Sequence, residues 1–578
     1  MADVNQLTAG FINLNKPKTQ KPKNQKTKKP KTKLKTKPKT LFKCQSEEAM
    51  KKSVKKLAAL GLTTVSVVNL VACGSSESSG SKSSSGEVTK PEKFSVMVNS
   101  TVVTETNGAS AFYDYLKELT GLDIEWKRPD HSGYYDAVAN AFNSTETMPD
   151  VVLLSSDYYA LYANNGFLWD MTDAWNNSDV KKSGRLVDGA ESTIKNLMVN
   201  GEDGEKAMYG FTAARGDGCV SYLKQSWLED AGINVADVDG VTLDFDTFYG
   251  YLKQMKEKKG HYVISAPGFI CTSEPYTNYL PEFYQKAQYT FYKNSSGEYV
   301  DGFTEQAMKD ALQRIRTAVE DGVIDKETVN NSTSNARDKF YSKDASSESG
   351  MFTYWSGTWA NTLKVNLASK GLDDRLIALK PIKELGAYTQ RIPGIWTITT
   401  AAENPEGIFK YFLESMLDGG DVQVAWEYGA KGTHWDTKAE TVTLQGESTG
   451  TTYSEGEFHM LPSPEKPNTL QTKNNVDPLL AMTTFEKTES NPEGTDPGLQ
   501  TISQTAIDNS EFFFENCQGY ETLPMTTELS EGSTDINTAR NYVIAQTALG
   551  YMTIDEGMDY YNKTVGNLVK SVLKSLNK

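Results

Sequence analysis

The chain has 578 residues, with 60 Lys and Arg against 75 Asp and Glu, and its N-terminal region is strongly basic. From residue 73 onward 43 basic and 72 acidic residues remain, a balance that argues against nucleic acid and anionic lipid as ligands. Beyond that point the cysteines are few (Cys219, Cys271 and Cys517), so the chain is not a disulfide scaffold.

Residues 1–49 are predicted to be disordered. Their lysines alternate with Pro and Thr (KPKTQKPKNQKTKKPKTKLKTKPKT) without acidic residues between them, so this segment cannot bury a core. A nucleic-acid-binding tail is the alternative, but no aromatic residue lies between Phe11 and Phe42 to stack on a base. We interpret the segment as an extension upstream of the true start at Met50.

Residues 50–72 are predicted to be a secretory signal peptide. Met50 is followed by four lysines and then by a 16-residue, mostly apolar stretch over residues 57–72. A membrane-spanning helix is the competing interpretation, but the stretch is shorter than the roughly 20 apolar residues required. The sequence LVAC, ending at Cys73, resembles the lipobox of bacterial lipoproteins. This resemblance implies that Cys73 carries the lipid, diacylglycerol with palmitate, and begins the mature chain.

Residues 73–90 are rich in Ser and Gly (CGSSESSGSKSSSGEVTK) and are predicted to be a flexible tether. Residues 91–578 follow, and a segment of this length usually exceeds what one hydrophobic core can serve. We therefore expect at least two domains or lobes.

Strands and helices alternate after the tether. FSVMVNS (94–100) is predicted to be a strand, and the helix after it carries Phe112, Tyr115, Leu116 and Leu119 at helical spacing before Gly121 ends it. A short strand over 124–126, the helix YYDAVANAFNS and the strand in PDVVLLSSD come next. This alternation predicts an α/β lobe with a largely parallel sheet.

Ligands of such sheets gather beyond the carboxyl ends of the strands. The polar residues predicted at that edge follow the first and third strands: Asn99, Ser100, Ser155, Ser156 and Asp157.

The segment MPDVVLLSSDYYALYANNGFLWDMT (148–172) resembles the extracellular solute-binding proteins of ABC importers, in their maltose-binding branch. It has the family's order of Pro-Asp, apolar strand, polar turn with aspartate, helix and Gly. Similar stretches follow in the family's order: YLKQSWLEDAGI, TLDFDTFYGYLKQMK, GEYVDGFTEQAMKDALQRIRTAVEDGVIDKE and NPEGIFKYFLESMLDGGD. The resemblance covers almost all of the mature chain and implies a two-lobe α/β fold with the ligand cleft between the lobes.

This resemblance also implies ligand-binding residues. Asp157 stands where the family's aspartate binds sugar hydroxyls, although Leu154 and Tyr158 depart from the maltose-binding pattern. Asp157 is equally suited to cap the following helix. SEPYTNYL resembles the family's Glu-Pro-Tyr, which implies hydroxyl binding by Glu274 and stacking by Tyr276.

Three tryptophans are candidates for stacking on sugar rings. MFTYWSGTWANTL resembles the family's segment with a stacking tryptophan, which implies Trp359 and then Trp355. Trp396 is expected near the cleft floor, where the chain crosses between lobes. Ordinary core packing is the competing interpretation for each.

The sequence contains no HExxH, GxSxG, Walker or CxxC motif and no GxGxxG after a strand. Its four histidines do not have metal-ligand spacing, so we expect neither a metal nor a cofactor. The chain could also be a glycosidase with two catalytic carboxylates, because the sequence does not show how far apart its acidic residues lie.

The resemblance implies a monomeric, lipid-anchored receptor on the outer face of the bacterial membrane that binds a carbohydrate for the permease subunits of an ABC importer. It is not expected to be an enzyme, to bind nucleic acid, or to contact the membrane except through its lipid. The expected lobes comprise residues 91–211 with 391–470 and residues 212–390 with 471–578. The alternative is a secreted, lipid-anchored carbohydrate-active enzyme.

Overall fold

A computed structural model describes residues 87–200, 206–270, 279–471, 475–519, 522–524 and 526–578. The predictions for residues 1–49, the signal peptide over 50–72, Cys73 and most of the tether lie outside the described residues, and so do Glu274 and Tyr276. The described chain packs around two large hydrophobic cores.

The first core is built from residues 94–213 and 392–482, and we call this region the first lobe. It extends to Met482, beyond residue 470, the limit expected from the sequence. The helices and strands of its first segment are β1 (Phe94–Met97), α1 (Ala109–Thr120), β2 (Ile124–Lys127), α2 (Tyr134–Ala141), β3 (Val151–Leu154), α3 (Ser156–Asn164), α4 (Thr172–Asn177), α5 (Asp179–Lys182), α6 (Ala190–Leu197), β4 (Met198–Asn200) and β5 (Lys206–Met208).

The second core is built from residues 220–388 and 513–576, and we call this region the second lobe. Its helices and strands are β6 (Cys219–Lys224), α7 (Gln225–Asp230), α8 (Phe245–Lys259), α9 (Pro281–Tyr284), β7 (Phe291–Lys293), β8 (Tyr299–Asp301), α10 (Gln306–Glu320), α11 (Thr333–Phe340), β9 (Met351–Trp355), α12 (Thr358–Ser369), β10 (Leu376–Ala378) and β11 (Tyr388–Thr389). The chain then returns to the first lobe and forms β12 (Ile395–Ile398), α13 (Pro405–Ile408), α14 (Asp421–Tyr428), β13 (Trp435–Asp436), β14 (Glu440–Val442), β15 (Thr451–Tyr453) and β16 (His459–Met460). It ends in α15 (Gln504–Glu515), β17 (Cys517–Gln518), α16 (Thr527–Ala548) and α17 (Ile554–Leu576).

Shorter helical turns connect these elements. The 3₁₀ turns are Glu105–Asn107, His131–Gly133, Val235–Asp237, Gly302–Thr304, Lys326–Val329, Glu414–Leu417, Pro478–Leu480 and Leu499–Thr501, and a π-helical turn, Phe409–Leu413, continues α13.

The sheet of the first lobe has the strand order β12-β3-β1-β2. β1 runs parallel to β2 and β3, and β12 joins the edge antiparallel to β3. Helices α1 and α2 connect the parallel strands, because a parallel pair needs a crossover rather than a hairpin. The predicted alternation and largely parallel sheet are confirmed in this lobe.

Helix α1 shows how the local sequence sets these elements. Phe112 and Leu116 lie four residues apart, on one face, and both are buried in the core. The helix ends at Gly121, whose φ of 62° is in the left-handed region that glycine adopts without a Cβ penalty. The predicted inward face and the predicted stop are both confirmed.

The sheet of the second lobe has the order β10-β6-β9, and both pairings are antiparallel. Every residue of the central strand β6 is buried. Helix α10 packs Met308, Leu312 and Ile315 into this core, as its sequence predicts. The last two helices, α16 and α17, pack along each other and against α10.

A buried carboxyl group lies in the second core. Glu282 of α9 is 1% exposed, and its carboxyl lies near the hydroxyl groups of Ser221 and Tyr388. Burial raises the pKa of Glu282 from 4.5 to about 7, because the charged form loses its hydration.

The raised pKa of Glu282 predicts a pH dependence of stability. The native state holds this proton at pH values where the unfolded chain releases it, so the stabilisation is complete below pH 4.5 and is lost as the pH rises through about 7. Glu282→Gln removes this titration. Its stability relative to wild type should rise by about 3 kcal/mol between pH 4.5 and 8, measured by urea unfolding. A pH-independent difference between the two proteins would contradict this assignment.

Candidate functional site

The chain crosses between the two lobes along paired extended segments. Phe211 pairs with Trp396, and Asp217 pairs with Arg391, so the first crossing runs antiparallel to the second. The backbones approach closely, since a Cβ on Gly216 would lie 2.1 Å from the carbonyl oxygen of Arg391. The crossings therefore form a tightly packed junction beside both cores.

A three-residue turn of the second lobe docks on this junction. It comprises Ser356, Gly357 and Thr358, between the end of β9 and the start of α12. The Ser356 hydroxyl donates to the Asp217 carboxylate of the crossing segment. The Thr358 hydroxyl donates to Asp477, which belongs to the segment that packs with the first core. We call this pair of contacts the junction latch.

The backbone of the turn requires a glycine. Gly357 has φ 59° and ψ −127°, a conformation that residues with a Cβ rarely adopt. It reverses the chain between the strand and the helix, so that Ser356 and Thr358 reach two different carboxyl groups.

Both carboxyl groups of the junction latch are largely surrounded by protein. Burial raises the pKa of Asp217 to about 6, although the hydroxyl of Ser356 and the backbone N–H of Gly218 donate to it. Burial also raises the pKa of Asp477, against the lowering effect of its hydrogen bonds from Thr358 and Leu479. The latch therefore consists of weakly solvated carboxyl groups whose stabilising partners are mainly hydroxyl and amide donors.

The turn places two tryptophans beside the junction. Trp359 is the second residue of α12 and is 48% exposed, which is unusual for so large an apolar side chain. Within the described chain its ring makes one aromatic contact, edge to face with Tyr354, at 6.0 Å between the ring centroids. Much of its indole surface is thus available to a ligand.

Trp355 ends β9 and is half-buried. The guanidinium carbon of Arg391 lies 4.4 Å from the centroid of its ring, which is a cation–π contact. Arg391 is exposed and forms no salt bridge with another described residue. One face of Trp355 is therefore covered by a cation that itself has free hydrogen-bond donors.

Trp396 belongs to the crossing through its backbone, which pairs with Phe211, but its side chain lies in the first core. It is 6% exposed on β12, and its ring packs against Phe412 and Trp426 at centroid distances of 5.8 and 5.6 Å. The structure thus places Trp396 in the first core, where ordinary packing accounts for its surroundings. Its role as a ligand-binding residue stays a prediction without geometric support.

The other predicted polar residues lie at the expected edge of the first sheet. Asn99 follows β1, and its amide nitrogen lies 2.6 Å from Nδ1 of His131. Ser155 is the N-cap residue of α3, and Asp157 lies in the first turn of that helix. The structure places Trp355 and Trp359 on either side of the Ser356–Thr358 turn, and the roles of Asp157, Glu274 and Tyr276 stay predictions.

The latch residues were not anticipated from the sequence. Asp217 lies in ARGDGC, where two glycines flank an aspartate, and this local pattern marks a close backbone approach. No local pattern marks Asp477 or Thr358, because their contact joins positions 119 residues apart.

The junction latch can be tested with a matched pair of variants. Thr358→Val keeps the shape of the side chain but removes the donor to Asp477, so it should destabilise the protein by about 1–3 kcal/mol. Thr358→Ser keeps the hydroxyl and should stay within about 0.5 kcal/mol of wild type. Urea unfolding measures both values. A loss in Thr358→Ser without a loss in Thr358→Val would show that the methyl group, and not the hydroxyl, stabilises the turn.

Within the ranges given above, no group of three or more His, Cys, Asp or Glu side chains could hold a metal ion. Among the helices of these same ranges, none combines the length and hydropathy needed to cross a bilayer.

Residues 104–413 match the model of a family described as "Bacterial extracellular solute-binding protein". Among solved structures, the alginate-binding protein AlgQ2 without calcium ion is similar at TM-score 0.56 and 16% identity, over 84% of this chain and 97% of that chain. Maltose-bound MalE3 of T. maritima is similar at TM-score 0.51 and 14% identity, over 83% and 100%.

The N-glycan transport solute binding protein NgtS of Streptococcus pneumoniae is similar at TM-score 0.51 and 15% identity, over 84% of this chain and 98% of that chain. No curated protein matches the chain significantly in sequence. At such identities the likeness to solved structures shows the fold alone. It confirms the two-lobe α/β fold of periplasmic binding proteins expected from the sequence.

Proposed function

Because the chain belongs to the bacterial extracellular solute-binding protein family, we propose that it captures an oligosaccharide outside the cell for uptake by an ABC importer. Members of this family are solute receptors that work with ABC transporters, so the chain is a receptor and not an enzyme. The carbohydrate-active enzyme considered from the sequence is therefore not favoured.

The observation that carries the sugar assignment is the exposed Trp359 at the junction of the lobes. Sugar rings present flat C–H faces that stack on aromatic side chains, while their hydroxyls bond to polar groups around the ring. Trp359 offers the aromatic face, and Arg391 offers free donors beside Trp355. The names of the similar structures, which refer to alginate, maltose and an N-glycan, support a saccharide as the ligand class.

The proposed mechanism is hinge closure. The paired segments at Asp217 and Arg391 act as the hinge, and a ligand held by one lobe recruits the other. We place Asp157, Glu274 and Tyr276 on the cleft together with Trp355 and Trp359, as the family resemblance implies. The closed, ligand-bound form is the one that the permease subunits recognise.

Calorimetry tests the function directly. The protein from residue 91 onward is titrated with a panel of neutral and acidic oligosaccharides, and the sugar is recovered afterwards. Stoichiometric binding of a sugar that is recovered unaltered is expected. Release of cleaved product would instead support the carbohydrate-active enzyme, and a panel without any binding would contradict the carbohydrate assignment.

The mature protein is proposed to be a monomer anchored to the outer face of the membrane by a lipid on Cys73. Cys73→Ala should abolish incorporation of labelled fatty acid and either release the protein or leave an uncleaved precursor, because two signals such as paired acyl chains are needed for stable attachment. Metabolic labelling followed by membrane fractionation measures this. Undiminished labelling of the variant would exclude Cys73 as the lipidation site.

A further inference from the structure

A polar groove lies on the second lobe beside Trp359. Its cavity of about 250 Å³ is lined by residues of α11 and α12 and the turn after each: Ser334, Arg337, Asp338, Tyr341, Asn366 and Lys370. The lining combines one aromatic ring with amide, hydroxyl and charged groups. This is the chemical composition that carbohydrate sites share.

Tyr354 links Trp359 to the groove. The ring of Trp359 contacts Tyr354 edge to face, and Nη1 of Arg337 donates to the hydroxyl of Tyr354 at 3.0 Å. Tyr354 is 5% exposed and contacts both side chains. One buried residue therefore separates the exposed indole from the first lining residue of the groove.

Helix geometry gives the direction and the distance. Asn366 follows Trp359 by seven residues in α12, which places both on nearly the same face of the helix. Seven residues at the α-helical rise correspond to about 10 Å along the axis. A short chain of linked sugar rings that starts on Trp359 can follow the helix over this distance into the groove.

The charged groups of the groove are available for a ligand. Neither the Asp338 carboxylate nor the Lys370 ammonium forms a salt bridge with another described residue. The Asn366 side chain makes one long hydrogen bond, at 3.4 Å, to the hydroxyl of Tyr341, and its Oδ1 accepts none within the described chain. The groove thus offers free donors and free acceptors together.

This mixture suits sugar hydroxyls. A sugar hydroxyl donates one hydrogen bond and accepts others, so it can use Asp338 and Lys370 at the same time.

We infer that the groove is an accessory subsite that binds the distal rings of an oligosaccharide whose first ring stacks on Trp359. The inference rests on the proposed function and adds the length of its ligand. Trp359 serves ligands of every length, whereas the groove serves only those long enough to reach it.

A ladder of gluco- and manno-oligosaccharides of increasing chain length tests this by calorimetry. For wild type, affinity should rise at the length that reaches the groove. Asn366→Ala and Asp338→Ala should each weaken binding of the long members about tenfold, because a polar contact with the ligand is lost, and leave the short members unchanged. Trp359→Ala should weaken binding of all members.

Lys364→Ala is the matched control. Lys364 lies on the same helix but bonds to Thr505, away from the groove, so this variant should bind the whole ladder as wild type does. If the groove variants bind long and short members as wild type does, the accessory subsite is overturned while the sugar receptor stands. If no member binds to wild type, the carbohydrate assignment fails and the subsite with it.

Discussion

Arg540→Met is expected to lower the free energy of unfolding by about 3–5 kcal/mol, since it leaves an uncompensated charge in the second core. Arg540 is 1% exposed, and its Nη2 donates to Asp301 at 2.7 Å. Asp301 also accepts a hydrogen bond from the hydroxyl of Tyr561 at 2.9 Å. The ion pair therefore joins β8 to α16, and the hydrogen bond from Tyr561 joins β8 to α17.

The surroundings of the guanidinium explain the size of the expected loss. Four aromatic rings lie within 6 Å of its central carbon, those of Tyr289, Phe291, Phe303 and Tyr561. Little water can reach Asp301 once the arginine is removed, because the residue is 6% exposed. The carboxyl group must then either stay charged without a partner or take up a proton.

Urea unfolding with matched variants checks this result. Arg375→Met removes an arginine from an exposed ion pair with Asp239 and should cost less than about 1 kcal/mol. Adding Asp301→Asn to Arg540→Met should recover part of the loss, because the stranded charge disappears. A loss below about 1 kcal/mol for Arg540→Met alone would show that the pair does not stabilise the lobe.

Trp359→Ala is expected to weaken sugar binding by about 1–3 kcal/mol, or roughly 5- to 150-fold in Kd, through the loss of one aromatic stacking contact. The melting temperature of the ligand-free protein should stay close to that of wild type, because the indole is 48% exposed and supports little of the core. Calorimetry and thermal unfolding on the same variant measure both quantities.

Trp396→Ala provides the contrast. This ring lies between Phe412 and Trp426 in the first core, so its removal should cost about 3–5 kcal/mol of folding stability. The fraction that folds should bind the sugar with nearly normal affinity. If Trp359→Ala melts well below wild type and still binds normally, Trp359 is a packing residue and the proposed platform is wrong.

Much of the first lobe could be predicted from the sequence, because its signals are local. The buried strand β1, the inward face of α1 and the stop at Gly121 each depend on residues within one or two turns of one another. The family was also predictable, since its order of short motifs extends over most of the chain, and it is confirmed by the match over residues 104–413.

The tertiary structure alone distinguished the tryptophans. The local sequences around Trp355, Trp359 and Trp396 do not reveal how exposed each side chain is. Exposure depends on what distant segments place over each ring. Phe412 and Trp426 cover Trp396, whereas the described chain leaves nearly half of Trp359 accessible.

By itself, the sequence determined the family, the α/β class and the type of ligand to consider, because these follow from local periodicity and from motifs in a characteristic order. Only the tertiary structure decided which residues form the junction between the lobes. Ser356 meets Asp217 across 139 residues and Thr358 meets Asp477 across 119. Such pairings depend on how the two cores pack around the chain crossings, and no short stretch of the chain contains that information.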